Sequence, residues 1–308
     1  MTSAALPSAG TASSGTASSG RPSALRPGRI ILYVVLIIGA LLMITPFLWM
    51  LLTSFKSDLE VQQFSWLPGE LRWHNFVEAM NTAPFLRYFR NSLFIAVGET
   101  AFTLVVCTMA GYALAKAPIR GGKTLLNYFI VLLLVPFQII LVPLFMIVKS
   151  IPLFGGNNIV GHGGIGWLNS WWGLIIPLGA APLFTFLARQ FYVSLPEELA
   201  QAARVDGLSE FGIFLRIMTP LIKPALITIA VFQIEAAWNG FLWPLMITTS
   251  DSMRPLQLGL AIFSQNPAEI QWPYLMAGTA LATLPMIVLF VFAQKRFVEG
   301  MANVGIKG

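Results

Sequence analysis

The sequence predicts an all-α membrane protein with six spanning helices. Three observations carry that prediction: scarce charge, high mean hydropathy and six long apolar runs. Only 10% of the 308 residues are charged, while 56% are hydrophobic. A soluble domain carries about 25% charged residues, so this chain could not cover a globular surface in water. Its mean hydropathy is +0.74. A soluble enzyme, a disordered chain and a disulfide scaffold are all excluded. The one cysteine, Cys107, lies in an apolar run, so no intramolecular disulfide forms.

Residues 1–29 are dominated by Ser, Thr, Ala, Gly and Pro. They have nothing to bury and are expected to form a disordered tail. The run from Ile30 to Leu52 follows, with 23 residues. At about 1.5 Å per residue it crosses a hydrocarbon core of about 30 Å with some tilt. It is too long for the core of a signal peptide. Five further runs lie near 90–115, 124–148, 171–190, 224–247 and 273–294. Each is expected to be a helix, because lipid offers the backbone no outside partner. Pro136, Pro143, Pro177, Pro182, Pro244 and Pro285 fall inside these runs and predict kinks rather than ends.

Six spans place both termini on one side. With that side cytoplasmic, the inner set is Arg21, Arg26, Arg29, Lys116, Arg120, Lys123, Arg189, Arg204, Arg216, Lys223, Lys295, Arg296 and Lys307. The outer set is only Lys56, Arg72, Arg87, Arg90, Lys149 and Arg254. The excess supports both termini inside the cytoplasmic membrane. It also accounts for the net charge of +6 better than a nucleic-acid partner would. The expected partition is a tail at 1–29, a six-helix domain at 30–296 and a second tail at 297–308.

Residues 191–223 form an inner loop with the densest charge pattern in the chain. Pro196 suits a first helical turn, and Glu197 and Glu198 complement the helix dipole there. Leu199, Ala202, Ala203 and Val205 can form one apolar stripe. Gly207, after Asp206, suits a left-handed closing residue, and Ser209 can cap a second helix running to Thr219-Pro220. The loop therefore reads as helix, glycine turn, helix. Small residues at 200, 202 and 203 leave a surface that another protein could approach, although a helix lying on the bilayer fits the same pattern.

This loop resembles the EAA motif of permease subunits in binding-protein-dependent ABC importers. Ala202, Ala203, Gly207, Ile217 and Pro220 match at the motif's spacing. Gln201 stands where the family has glutamate, and Thr219 replaces its leucine. The segments Phe89-Arg-Asn-Ser-Leu-Phe, Ala110-Gly-Tyr-Ala-Leu-Ala-Lys, Trp238-Asn-Gly-Phe-Leu-Trp-Pro-Leu and Leu256-Gln-Leu-Gly-Leu also look like the family's. The ending Phe297-Val-Glu-Gly-Met-Ala-Asn-Val-Gly-Ile-Lys-Gly308 is similar to that of the smaller permease subunit of maltose-type sugar importers.

The resemblance implies a type I ABC importer permease fold in which the loop is a cytoplasmic coupling helix seated on an ATPase. Its implied coupling residues are Glu198, Gln201, Ala202, Ala203, Arg204, Asp206, Gly207, Ile217 and Pro220. Gln201 is neutral, so Glu198, one turn earlier, is the candidate to replace the family's acid. The resemblance further implies a tail reaching the ATPases through Glu299, Gly300, Gly305, Lys307 and Gly308. The implied partners are a second, homologous permease, two ATPase subunits, an external sugar-binding protein or lipoprotein, and membrane lipid. ATP and magnesium would be bound by the ATPases, and this chain would hold no cofactor.

Nothing in the chain suggests an enzyme. Gly121-Gly122-Lys123-Thr124 imitates the end of a phosphate loop, but Ala117 occupies the first glycine position and no strand precedes it. His74 and His162 are isolated, so neither a metal site nor a triad can be assembled. Two acids lie inside predicted spans, Glu99 and Glu235. A mid-membrane charge is costly, which turns such groups toward the bundle or a wet cavity. They are either ligands on a translocation path, with Gln138, Trp238 and Asn239, or members of interhelical hydrogen bonds. A gradient-driven carrier using Glu99 or Glu235 is the alternative to an ATP-driven importer.

Overall fold

The computed structural model describes residues 27–117, 119–264 and 270–305. Fifteen α-helices follow in order: α1 Pro27–Thr53, α2 Asp58–Gln62, α3 His74–Thr82, α4 Phe85–Lys116, α5 Gly122–Leu133, α6 Phe137–Lys149, α7 Trp171–Gly179, α8 Pro182–Val193, α9 Glu197–Val205, α10 Glu210–Gly212, α11 Thr219–Leu221, α12 Lys223–Trp238, α13 Leu242–Ile247, α14 Leu256–Leu260 and α15 Trp272–Gly305. Among the described residues no strand forms. The expected tail at 1–29 falls almost wholly outside the described residues, and the first helix begins at Pro27 rather than Ile30.

The chain divides into two units, residues 1–48 and 49–308. The described part of the first unit is the N-terminal length of α1, apolar but for Arg29 near its start and Thr45. Thr45 Oγ1 donates to the Leu41 carbonyl at 2.8 Å, directly before Pro46, which has no N–H to give the helix ladder.

In the second unit, two helices are long and apolar enough to cross a bilayer unbroken, α4 and α15 over 272–294; α1 is a third in the chain. Three further crossings are available as bent pairs: α5 with α6 at 108°, α7 with α8 at 45°, and Glu210–Leu221 with α12 at 82°. The expected kinks are therefore partly helix ends. Pro136 and Pro182 stand at helix starts, where a missing N–H is harmless, and each pushes its preceding residue out of the helical region. Pro143, Pro177 and Pro285 lie inside helices as expected. The run expected at 224–247 is also divided: α12 stops at Trp238, and Pro244 belongs to the separate α13.

Helix α4 is the hub, packing against α7, α8 and α12. It lies so close to α8 that a Cβ on Gly111 would stand 2.8 Å from both Ala188 Cβ and Arg189 N. A small residue at that crossing lets two backbones approach, a common device where helices cannot gain from expelling water. One core at the loop end gathers Cys107, Tyr112, Tyr192, Ile213 and Met218. At the opposite end Tyr88, Trp238, Leu256 and Ala277 form a second.

Polar groups inside the bundle pair between helices. Thr103 Oγ1 donates to the Gly179 carbonyl at 2.6 Å, and Trp243 Nε1 to the Gly173 carbonyl at 2.9 Å. Trp238 Nε1 donates to the Ala282 carbonyl at 3.1 Å. At the end away from α9, Tyr88 Oη donates to Asp251 at 2.6 Å, and Asn91 Nδ2 reaches the carbonyls of Ser252 and Arg254.

Gly111→Leu should lower stability in mild detergent by about 1–3 kcal/mol or more, the range for overpacking a tight contact. Thermal unfolding against the parent protein checks this. Unchanged stability would mean that α4 and α8 are not closely apposed.

Candidate functional site

The segment from Pro196 to Trp238 builds one continuous element from local rules. Helix α9 carries Glu197 and Glu198 in its first turn, against the positive end of its dipole, and Arg204 in its last. Gly207 ends it at φ +82°, with Leu208 N donating to the Ala203 carbonyl and Gly207 N to that of Arg204, both at 3.0 Å. That pair of bonds is the glycine-closed helix end. Ser209 Oγ then accepts from Gly212 N at 3.2 Å and opens α10. A π-helical turn, Ile213–Met218, leads into α11, which carries Pro220. Proline clashes with the carbonyl four residues back, and a widened turn just before it relieves that clash.

The apolar stripe of α9 is not the one expected from spacing. Ala200 and Ala203 are buried against the loop-end core, while Leu199 and Ala202 are exposed and Val205 is 88% exposed. The core selects the two alanines because only small side chains fit there, and this turns the larger residues outward. Ala203 thus serves packing within the chain. The outward face consists of Glu198, Gln201, Ala202, Val205 and Asp206, joined by exposed Phe211 from α10.

Charges on the inward side are consumed locally. Arg204 donates to both Glu210 oxygens, from Nε at 2.6 Å and from Nη2 at 3.2 Å, and lies 3.5 Å from Glu197. Donating to the Glu210 carboxylate raises the Arg204 pKa further, so the guanidinium stays charged. Lys116 closes the chain of charges: its Nζ is 3.0 Å from Glu197 Oε2 and donates to the Leu195 carbonyl at 2.8 Å. The sequence counted Lys116 only as an inner-side charge. Its place at the last turn of α4, on the same predicted side as the Glu197–Glu198 pair, was the available signal for this tie.

Two motif positions have structural partners. Ile217 is half-buried beside the core. Thr219, the residue that departs from the family's leucine, bonds through Oγ1 to the buried Tyr192 hydroxyl at 2.8 Å. A leucine there would leave that hydroxyl without this bond.

The polar residues of the predicted spans fall into different settings. Glu99 is 3% exposed and accepts from Gln233 Nε2 at 2.8 Å, a bond that ties α4 to α12. Glu235 is exposed and accepts from Asn239 Nδ2 at 2.8 Å. Asn239 in turn accepts from Gln257 Nε2 at 3.4 Å. Gln257 was missed because an isolated amide in an outer loop gives no pattern to read. Asn239 sits where α12 breaks and lines a cavity of about 360 Å³ with Phe137, Leu178, Phe241 and Trp243. Trp238 points the other way, buried against α15, and Gln138 is exposed on α6 without lining that cavity. The backbone of α15 continues to Gly305 and so includes Glu299, Gly300 and Gly305, whose side chains lie outside the described set, as do Lys307 and Gly308 altogether.

Thr219→Val should destabilise the protein by about 1 kcal/mol through loss of the Tyr192 partner, and Thr219→Ser should restore it. Thermal unfolding of both variants checks this. Equal stability of the two would show that the hydroxyl pair contributes nothing.

Comparison with known proteins agrees with this architecture. Residues 107–303 match the family described as binding-protein-dependent transport system inner membrane component. The arabinooligosaccharides transport system permease protein AraQ of Halalkalibacterium halodurans is 32% identical over 87% of this chain and 93% of its own. The trehalose/maltose transport system permease protein MalG of Thermococcus litoralis is 30% identical over 89% of this chain and 97% of its own. Among solved structures, a chain of a bacterial ABC transporter that imports the acidic polysaccharide alginate superposes with a TM-score of 0.75. It is 22% identical, over 89% of this chain and 99% of that one, a likeness of fold. The chain belongs to the family of inner membrane components of binding-protein-dependent transport systems.

Proposed function

We propose that this chain is one of two permease subunits in an ATP-driven ABC importer that carries a sugar or oligosaccharide across the cytoplasmic membrane. The observation that carries the reading is the element 196–238. It presents an outward face of unpaired polar and apolar groups, and runs through a π turn into a membrane helix tied to α4. A protein seated on Glu198, Gln201, Ala202, Val205 and Asp206 would pull on α12 directly. The relatives' names, for arabinooligosaccharides, trehalose/maltose and lactose, support a carbohydrate as cargo.

Under this reading two cytoplasmic ATPases bind ATP and magnesium, hydrolyse the nucleotide and hold the α9 element of each permease. A second, homologous permease completes the path, and an external binding protein delivers the sugar. Both termini are cytoplasmic, and the end of the chain, with Glu299, Gly300, Gly305, Lys307 and Gly308, reaches the ATPases. ATP binding closes the ATPase pair, shifts residues 196–216, and moves the helices between two global states biased by both partners. The row Glu235, Asn239 and Gln257 offers carboxylate and amide groups suited to sugar hydroxyls beside the ring of Phe241. The gradient-driven alternative has no role for the α9 element and finds no support in the family.

Two experiments test the proposal. A Cβ on Gly207 would meet nothing within 4 Å, so Gly207→Val acts only through its left-handed backbone. The variant should insert normally, lose uptake and lose co-purification of the ATPase; normal uptake would contradict coupling through this loop. Asn239→Ala should raise the KM for uptake several-fold while ATPase binding is retained. An unchanged KM would place sugar contact elsewhere.

A further inference from the structure

The connection between α6 and α7, residues 150–170, contains no Asp, Glu, Lys or Arg. It lies at the same end of the bundle as residues 249–256. Asn169 Oδ1 accepts from Thr249 N at 3.1 Å and from Ser250 N at 3.0 Å, which joins the two segments. Other connections at that end are charged: 53–84 carries Lys56, Asp58, Glu60, Glu70, Arg72 and Glu78, and 248–264 carries Asp251 and Arg254. An aqueous loop of this length without one charge is unusual composition for a surface facing water.

The loop is folded, and part of its backbone and both of its adjacent asparagines are hydrogen-bonded within the protein. Asn157 is buried, and its Nδ2 donates to the Lys149 and Ile151 carbonyls at 2.8 and 2.9 Å while its Oδ1 accepts from Gly164 N at 2.8 Å. Asn158 Oδ1 accepts from Val160 N and His162 N, both at 2.9 Å. Asn158 N donates to the His162 carbonyl at 2.9 Å, and Ile165 N to that of Gly155 at 2.9 Å. Phe154 packs edge-on to Trp167, with ring centroids 5.8 Å apart, and pins the loop to the end of the bundle.

The loop turns large apolar side chains outward. Leu153 is 72% exposed, Ile159 78% and Val160 68%. These residues continue an exposed apolar face of α6, which includes Val142, Met146 and Ile147. That helix is half of a candidate membrane crossing, and the loop extends its exposed apolar face past the helix end.

We propose that residues 151–165 form a lipid-immersed loop, with Leu153, Ile159 and Val160 seated in the phospholipid leaflet at the boundary of headgroups and acyl chains. A charge-free loop next to a span, with apolar side chains outward, suits that zone, which offers apolar contact and still leaves headgroups and water for backbone groups not paired within the loop. The loop then anchors the sharp bend of α5 and α6 at a fixed depth.

The test uses the assembled transporter in phosphatidylcholine nanodiscs on a Cys107→Ser background. A nitroxide is attached at Ile159→Cys, at Val160→Cys and, as an aqueous control, at exposed Glu70→Cys. Power saturation compares collisions with oxygen, which concentrates in lipid, and with a nickel chelate, which stays in water. At 159 and 160 oxygen collisions should exceed nickel collisions several-fold, with the reverse at 70. Nickel collisions dominating at 159 and 160 would overturn the proposal. If those collisions then fell on adding the binding protein, the loop would be a protein-docking surface instead.

Discussion

A chain immersed in hydrocarbon has no water with which to satisfy its polar groups, so most buried donors are met from within the protein, by their own helix or by a neighbouring one. That constraint determines where the helices of this bundle meet. Glu99 on α4 takes the amide of Gln233 on α12, Thr103 takes the carbonyl that α7 leaves free at Gly179, and Trp243 takes that of Gly173. The carbonyl at Gly179 is available because Pro182 has ended the helix ladder there. Helix breaks and interhelical hydrogen bonds are thus two sides of one solution. Gly111 adds a separate device, a crossing at which the backbones of α4 and α8 approach closely.

The same constraint makes the α9 element mechanically connected. Its alanines are locked under the bundle, its Arg204 is held between two carboxylates, and Lys116 fastens its start to the end of α4. The π turn before Pro220 leads through a sharp bend at Ile222 into α12. A displacement of α9 would be felt at Lys116 and at Glu99–Gln233, which are two polar ties of this element to α4. The first tie is a salt bridge near water. The second is a hydrogen bond in a dry interior, where breaking it leaves both groups without a partner.

Much of this was legible in the sequence. Six apolar runs gave the crossings, and the order Glu197, Glu198, Gly207, Ser209 gave the helix, turn and helix of the loop, because caps and left-handed turns are local events. What was hidden depended on neighbours distant in the chain. Spacing allowed Leu199 and Val205 to share a stripe with Ala203, but the space under α9 admits only alanine. The break at Asn239 could not be told from a continuous apolar helix kinked at Pro244. Proline signals showed where helices would be disturbed, yet Pro136 and Pro182 start helices while Pro143 and Pro285 sit within them, a choice made by packing. Glu99 and Glu235 looked alike as intramembrane acids, and only the fold separates a buried tie from an exposed group at a helix break.

The account rests on energy entering through α9 from a separate ATPase, with no part for an ion gradient. The most direct measurement is sugar uptake by the complete transporter in proteoliposomes, with ATP enclosed on the ATPase side and ionophores added to abolish all ion gradients. Uptake that requires ATP and the binding protein and continues with ionophores present is the predicted result. Uptake by this chain without an ATPase, abolished by the ionophores, would contradict the account.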